Sequence, residues 1–149
     1  MRVLLAGSAG GHLRQLYVLK DWWREHDRHW VTFDTEDAIT LLAGEQITWA
    51  HHPTTRNVPN LIRNFVRTFG LMRCYRPDVV VSTGAAIAVP LFVWARLFGI
   101  RTVFIEVYDR IENPTLTSRL VRPMTDLFLV QWEEQRRLHK GSVVAGQLL

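Results

Sequence analysis

The sequence predicts an α/β domain built on a doubly wound parallel sheet, and three observations predict it. Short β-branched runs, nearly all apolar, recur along the chain. Helical patterns separate each run from the next. The length of 149 residues suits one domain, in which roughly 70% of the unfolded chain's surface is buried. Strands that are apolar along their whole length are those covered by helices on both faces. Right-handed crossovers between them give a Rossmann-like sheet, with ligands beyond the carboxyl ends of the strands.

The elements follow in order. The run Val3-Leu4-Leu5-Ala6 makes the first strand, over 2–6, and the glycines after it open a helix over 12–25. A second strand over 29–33 ends at Asp34, ahead of a helix over 37–43 and a third strand over 46–50. A long helix covers 58–75. The apolar strand over 78–82 meets a glycine turn, and an apolar helix over 86–98 stops at Gly99. Strands over 102–105, 127–130 and 142–145 alternate with helices over 115–122 and 133–139. No repeat or low-complexity tract interrupts this order, so residues 1–149 read as a single domain.

Composition excludes several classes. Hydrophobic residues at 48% and charged residues at 21% leave no disordered tail. The single cysteine, Cys74, rules out an internal disulfide and any CxxC motif, which reads as a cytosolic chain. The apolar run before Gly7 is too short for a secretory leader. The stretch 85–94 carries Pro90 and meets Arg96, whereas a membrane span needs about 20 apolar residues. The adjacent His51-His52 pair lacks a third ligand at suitable spacing, so no metal site is expected.

The loop Gly7-Ser8-Ala9-Gly10-Gly11-His12 follows a buried strand and opens a helix, where free N–H groups favour an anion. A dinucleotide-binding fingerprint needs glycine at its first, third and sixth positions. Gly7, Ala9 and His12 occupy those positions, so nicotinamide or flavin binding is disfavoured and no cofactor is expected. His12 stands instead at a strand's carboxyl end, where an imidazole faces a ligand.

The net charge of +4 is unevenly spread. Residues 46–105 hold seven arginines against one acid, Asp78, while the rest of the chain is nearly balanced. Within this window Val58, Leu61, Ile62, Phe65, Val66, Phe69 and Met72 form a helical stripe. As an ordinary crossover helix it would lay that stripe on the sheet and leave its arginines in water. The charge asymmetry favours a second role, docking on an anionic membrane through Arg63, Arg67 and Arg73 with Phe65 and Phe69 at the edge. Nucleic acid is not the expected partner, because no aromatic and basic alternation or recognition module is present.

The second half carries Ser82-Thr83-Gly84, Ile105-Glu106, Leu116-Thr117-Ser118-Arg119-Leu120 and Val130-Gln131-Trp132-Glu133, closing on Val144-Ala145-Gly146. Together with the glycine loop and His12, this series resembles the acceptor-binding subunit of split family-28-type glycosyltransferases. These are the asparagine-linked-glycosylation protein fourteen family and its bacterial PssD- and CpsF-type counterparts. The turn Thr83-Gly84-Ala85-Ala86 departs from the single-chain relatives, which tend to have a second glycine there.

The resemblance implies the N-terminal half of a GT-B glycosyltransferase, docked peripherally on the cytoplasmic face of a membrane. The sugar nucleotide, a UDP-sugar, would be held by a separate donor-binding subunit or by a further part of a longer chain. Transfer to a polyprenyl pyrophosphate-linked saccharide would be inverting and metal-independent, with His12 or Glu106 as the base. For Glu106 a salt bridge with Arg110 is the competing role. Gly10, Gly11, Thr83 and Gly84 would line the lipid pyrophosphate or sugar, and Arg110 and Ser118 would contact its anion. Gln131 and Trp132 are expected to be structural. A non-catalytic adaptor that only anchors its partner, and a free-standing oxidoreductase, are the alternatives.

Overall fold

The computed structural model describes residues 1–148. Seven parallel strands run in the order β3-β2-β1-β4-β5-β6-β7. They are β1 Arg2–Ala6, β2 Asp27–Thr32, β3 Ile47–Trp49, β4 Val79–Ser82, β5 Arg101–Ile105, β6 Leu127–Val130 and β7 Val143–Val144. The helices are α1 Gly11–Tyr17, α2 Lys20–Trp23, α3 Glu36–Leu41, α4 Val58–Tyr75, α5 Ala88–Phe98 and α6 Leu116–Val121. The order reverses between β1 and β4, the switch point at which such sheets bind ligands. Alternate strand residues supply the two cores. Leu4, Val80, Phe104 and Phe128 pack with Met72 and Phe92 from α4 and α5. Val3, Leu5, Trp30 and Val81 pack with Leu13, Leu16, Trp23 and Ala38 from α1–α3.

Two expected helices differ. The helix over 12–25 breaks at Leu19, because the Trp23 indole N–H donates to the Leu16 carbonyl at 3.1 Å. That carbonyl would otherwise accept from the amide of residue 20 in an unbroken helix. The expected helix over 133–139 is a 3₁₀ turn, Glu133–Arg137, whose Gln135 side chain accepts from the Gln131 amide at 2.8 Å.

The α4 helix buries only part of its apolar stripe. Asn60, Asn64, Thr68 and Met72 point inward, while Val58, Ile62 and Val66 are 63%, 59% and 70% exposed. The cause lies in the loop after β3, whose backbone needs hydrogen-bond partners. The Asn64 carboxamide accepts from the His51 amide at 2.8 Å and donates to its carbonyl at 3.0 Å. The Asn60 amide group donates to the Pro53 carbonyl at 2.8 Å. Arginines 63, 67 and 73 stand exposed beside the outward apolar residues. Trp94, Leu97 and Phe98 of α5 extend this surface, with Phe69 and Trp94 rings 4.9 Å apart.

A second apolar surface lies on the other face of the sheet. The connections from β4 through β6 pass over the α4–α6 side, which leaves Val81, Val103, Ile105 and Leu129 lining a groove of about 930 Å³. Leu19 and Trp22 wall it on one side and Ala145 and Leu148 on the other.

At the far edge Arg28 makes two 2.7 Å bonds to Glu45, and this pairing holds the Glu45 carboxyl below its ordinary range. A lowered carboxylate stabilises the fold fully above the ordinary glutamate range and loses that contribution as pH falls below it. Glu45→Gln should therefore melt lower than wild type at neutral pH, with the gap closing in acid. Thermal melts from pH 7 to pH 3 check this, and a gap independent of pH contradicts it.

Candidate active site

The carboxyl ends of β1, β4 and β5 surround a cleft of about 560 Å³, lined among others by Gly11, His12, Gly84, Glu106 and Arg110. Two glycines let its loops meet. A Cβ on Gly7 would lie 3.1 Å from the Thr83 hydroxyl, and one on Gly84 would lie 3.3 Å from His12 Cε1. Gly84 also has φ +113, a conformation open to glycine. Ala85 follows at φ 62, where a residue with a side chain costs roughly 1–2 kcal/mol.

His12 is fixed by Thr83 from both ends. Its Nδ1 lies 2.8 Å from the Thr83 carbonyl, and the Thr83 hydroxyl donates to the His12 carbonyl at 2.8 Å. A carbonyl only accepts, so Nδ1 carries the proton and the neutral ring keeps its lone pair on Nε2. Nε2 is thereby left able to accept a hydrogen bond in the cleft. Thr83 itself is 1% exposed, so it positions His12 and does not offer its hydroxyl to a ligand.

Glu106 has a different environment. It is 1% exposed, its Oε1 accepts from the Val107 amide at 3.2 Å, and its Oε2 lies 3.0 Å from His139 Nε2. That contact is an ion-pair distance without hydrogen-bond alignment. The partner of Glu106 is thus the buried His139, where the sequence pointed to Arg110.

Two further expectations are corrected. The Gly10 amide donates to Asp37 Oδ2 at 2.9 Å, so a carboxylate already holds the turn expected to meet the pyrophosphate. Ser118 is fully buried and turned onto the cap of α6, where its hydroxyl donates to the Thr115 carbonyl at 2.9 Å. Thr117 lines the cleft in its place. Asp34, in the position of a ribose-binding acid, lies 2.7 Å from His52.

The motif Gln131-Trp132 and nearby Gln135 hold the loop after β5. Their side chains donate to the carbonyls of Glu106 at 3.0 Å, Tyr108 at 2.9 Å and Val107 at 2.8 Å. Sequence reasoning missed Gln135 and also Arg56, which reaches the cleft from the loop after β3. A lone glutamine in a helical pattern carried no signal, and the loop after β3 read as a connection.

Residues 49–148 match the family model described as oligosaccharide biosynthesis protein Alg14 like. The chain belongs to that family. The mouse UDP-N-acetylglucosamine transferase subunit ALG14 is 23% identical over the whole of this Alg14-like chain and 83% of its own length. A pyrophosphoryl-undecaprenol N-acetylglucosamine transferase from Elusimicrobium minutum is 30% identical over 142 residues, covering 86% of this chain and 38% of that protein. The fold overlays on MurG from Acinetobacter baumannii with a TM-score of 0.76 at 15% identity, covering 96% of this chain and 44% of that one. The chain spans less than half of these last two proteins, while the Alg14-like region takes in strands β4 to β7 and most of the cleft.

Proposed function

We propose that this chain is the acceptor-binding, membrane-docking subunit of a two-component inverting glycosyltransferase acting in lipid-linked saccharide synthesis. The observation that carries the reading is His12, held with its Nε2 lone pair free in a cleft at the switch point. His12 Nε2 removes the acceptor hydroxyl's proton as that oxygen attacks the anomeric carbon of a UDP-sugar held by the partner. The bond from that carbon to the diphosphate breaks, and UDP leaves with its electron pair. The Thr83 carbonyl, accepting from Nδ1, favours the imidazolium that forms. N-acetylglucosamine, the sugar in the relatives' names, is the first donor to try.

The groove over β4–β6 supports a protein partner, because contiguous apolar surface of this kind is what subunit contacts cover. Calorimetry on the isolated chain tests the division of labour. A lipid-linked acceptor should bind, while UDP-N-acetylglucosamine should bind weakly or not at all. Binding of the sugar nucleotide as tight as that of the acceptor contradicts the reading.

The outward face of α4 supports docking on the cytoplasmic leaflet. Among the described residues no helix is long and apolar enough to cross a membrane. Val58, Ile62 and Val66 can enter the headgroup boundary while the exposed arginines meet anionic lipid, at about 1 kcal/mol each. Burial, with Arg67 and Arg63 nearby, pushes His51 below the ordinary histidine range. Reversing Arg63, Arg67 and Arg73 to glutamate should abolish sedimentation with phosphatidylserine liposomes while leaving the melting curve unchanged. Undiminished sedimentation of the folded variant returns α4 to a purely structural role.

A further inference from the structure

We propose that Gln131 is a positioning residue that couples the groove over β4–β6 to the cleft, so that partner and acceptor each tighten the other's binding. The proposal rests on the transferase reading above, with a protein partner in the groove and the acceptor in the cleft.

Groove and cleft meet at one buried carboxamide. Gln131 follows β6 and is 2% exposed. Its Nε2 donates to Gln15 Oε1 and, at 3.0 Å, to the Glu106 carbonyl. Its Oε1 accepts from the Leu148 amide at 3.0 Å. Both hydrogens of the amide nitrogen are thus in use. The two ends of the group cannot be exchanged, because an oxygen has no proton to give to the Glu106 carbonyl.

The two ends serve different sites. Gln15 and Glu106 both line the cleft. Gln15 belongs to α1, one turn beyond His12, and Glu106 opens the loop after β5 that carries Arg110. Leu148 lines the groove instead, beside Ala145 and Gly146. The Ala145 amide donates to the Val130 carbonyl at 2.9 Å. Beyond it, among the described residues, the Leu148 bond to Gln131 is the hydrogen bond that ties this wall of the groove to the rest of the fold.

A planar carboxamide moves as a unit, so fixing its oxygen fixes its nitrogen. A partner seated against Leu148 holds that amide on Gln131 Oε1, and Nε2 then holds α1 and the β5 loop at their present spacing. In the other direction, an acceptor bound between α1 and that loop fixes Gln131 and orders Leu148 for the partner. The second ligand meets a segment already ordered and loses less entropy on binding. Such coupling is reciprocal by thermodynamic necessity.

The test measures, by calorimetry in detergent, how tightly the chain binds the donor-binding subunit that co-purifies with it. Each titration is made with and without N-acetylglucosaminyl farnesyl diphosphate as the acceptor probe. In wild type the probe should tighten the subunit's binding at least about fivefold. Gln131→Met, similar in volume but without the amide, should abolish that effect. Leu148→Pro, which removes the N–H at the groove end, should abolish it too, whereas Leu148→Ala keeps the N–H and should keep the effect even where overall affinity falls. The proline and alanine pair decides the matter if Gln131→Met does not fold. A glutamine that only stabilises the fold would lower the melting temperature and leave the effect of the probe in place. No effect in wild type, an effect unchanged in Gln131→Met or Leu148→Pro, or an effect lost equally in Leu148→Ala overturns the coupling, and sugar transfer by that complex spares the transferase reading. An effect that depends on Gln131, in a complex that transfers no sugar, sinks the transferase reading and spares the coupling. A chain that associates with no such subunit overturns both.

Discussion

Replacing His12 with alanine should lower turnover of the assembled enzyme by about 10²–10⁴-fold, the usual contribution of a positioned general base. The expectation follows from the hydrogen bond between Nδ1 and the Thr83 carbonyl, which leaves Nε2 as the proton acceptor in the cleft. Loss of ground-state binding alone would raise KM and leave kcat in place, so the comparison is made at saturating acceptor and donor. Glu106→Gln provides the contrast. Its side chain is buried against the His139 ring, 3.0 Å from Nε2, so changing it disturbs a packed polar contact and costs stability. That variant should melt lower and keep turnover within a few-fold for the protein that remains folded. A large fall in kcat for Glu106→Gln, with His12→Ala near wild type, reverses the two roles. Near-wild-type kcat in both variants, with partner and membrane binding intact, favours the adaptor.

Much of the fold was legible in the sequence because its signals are local. Each strand is a short apolar run, and every one of the seven expected strands is present, with ends shifted by a residue or two at several of them. His12 and Glu106 were found by looking at the carboxyl ends of strands, Gly84 and Arg110 followed from the family resemblance, and the four share one cleft. What escaped depends on contacts between distant segments. The orientation of α4 is set by Asn60 and Asn64 bonding to the loop after β3, and hydrophobic spacing along the helix does not encode that requirement. Of the apolar stripe, Met72 is buried and Leu61 and Phe65 are half-buried, while Val58, Ile62 and Val66 face outward. The capture of the Gly10 amide by Asp37 joins residues 27 apart, and so that amide is withdrawn from any anion at the turn. Ser118 illustrates a narrower limit. In a run of Thr115-Leu116-Thr117-Ser118, the helix phase decides which hydroxyl faces the cleft, and the capping bond from the Ser118 amide to Thr115 Oγ1 sets that phase.

In the proposed reading this cleft holds the acceptor while another polypeptide holds the donor. The apolar groove over β4–β6 supports a protein partner. The measurement is sugar transfer from UDP-N-acetylglucosamine to a lipid-linked acceptor on anionic liposomes. It is made with the purified chain alone, with its candidate donor-binding partner alone, and with the two mixed. Transfer is expected from the mixture, with none above background from either component. Robust transfer by the purified chain alone would contradict it.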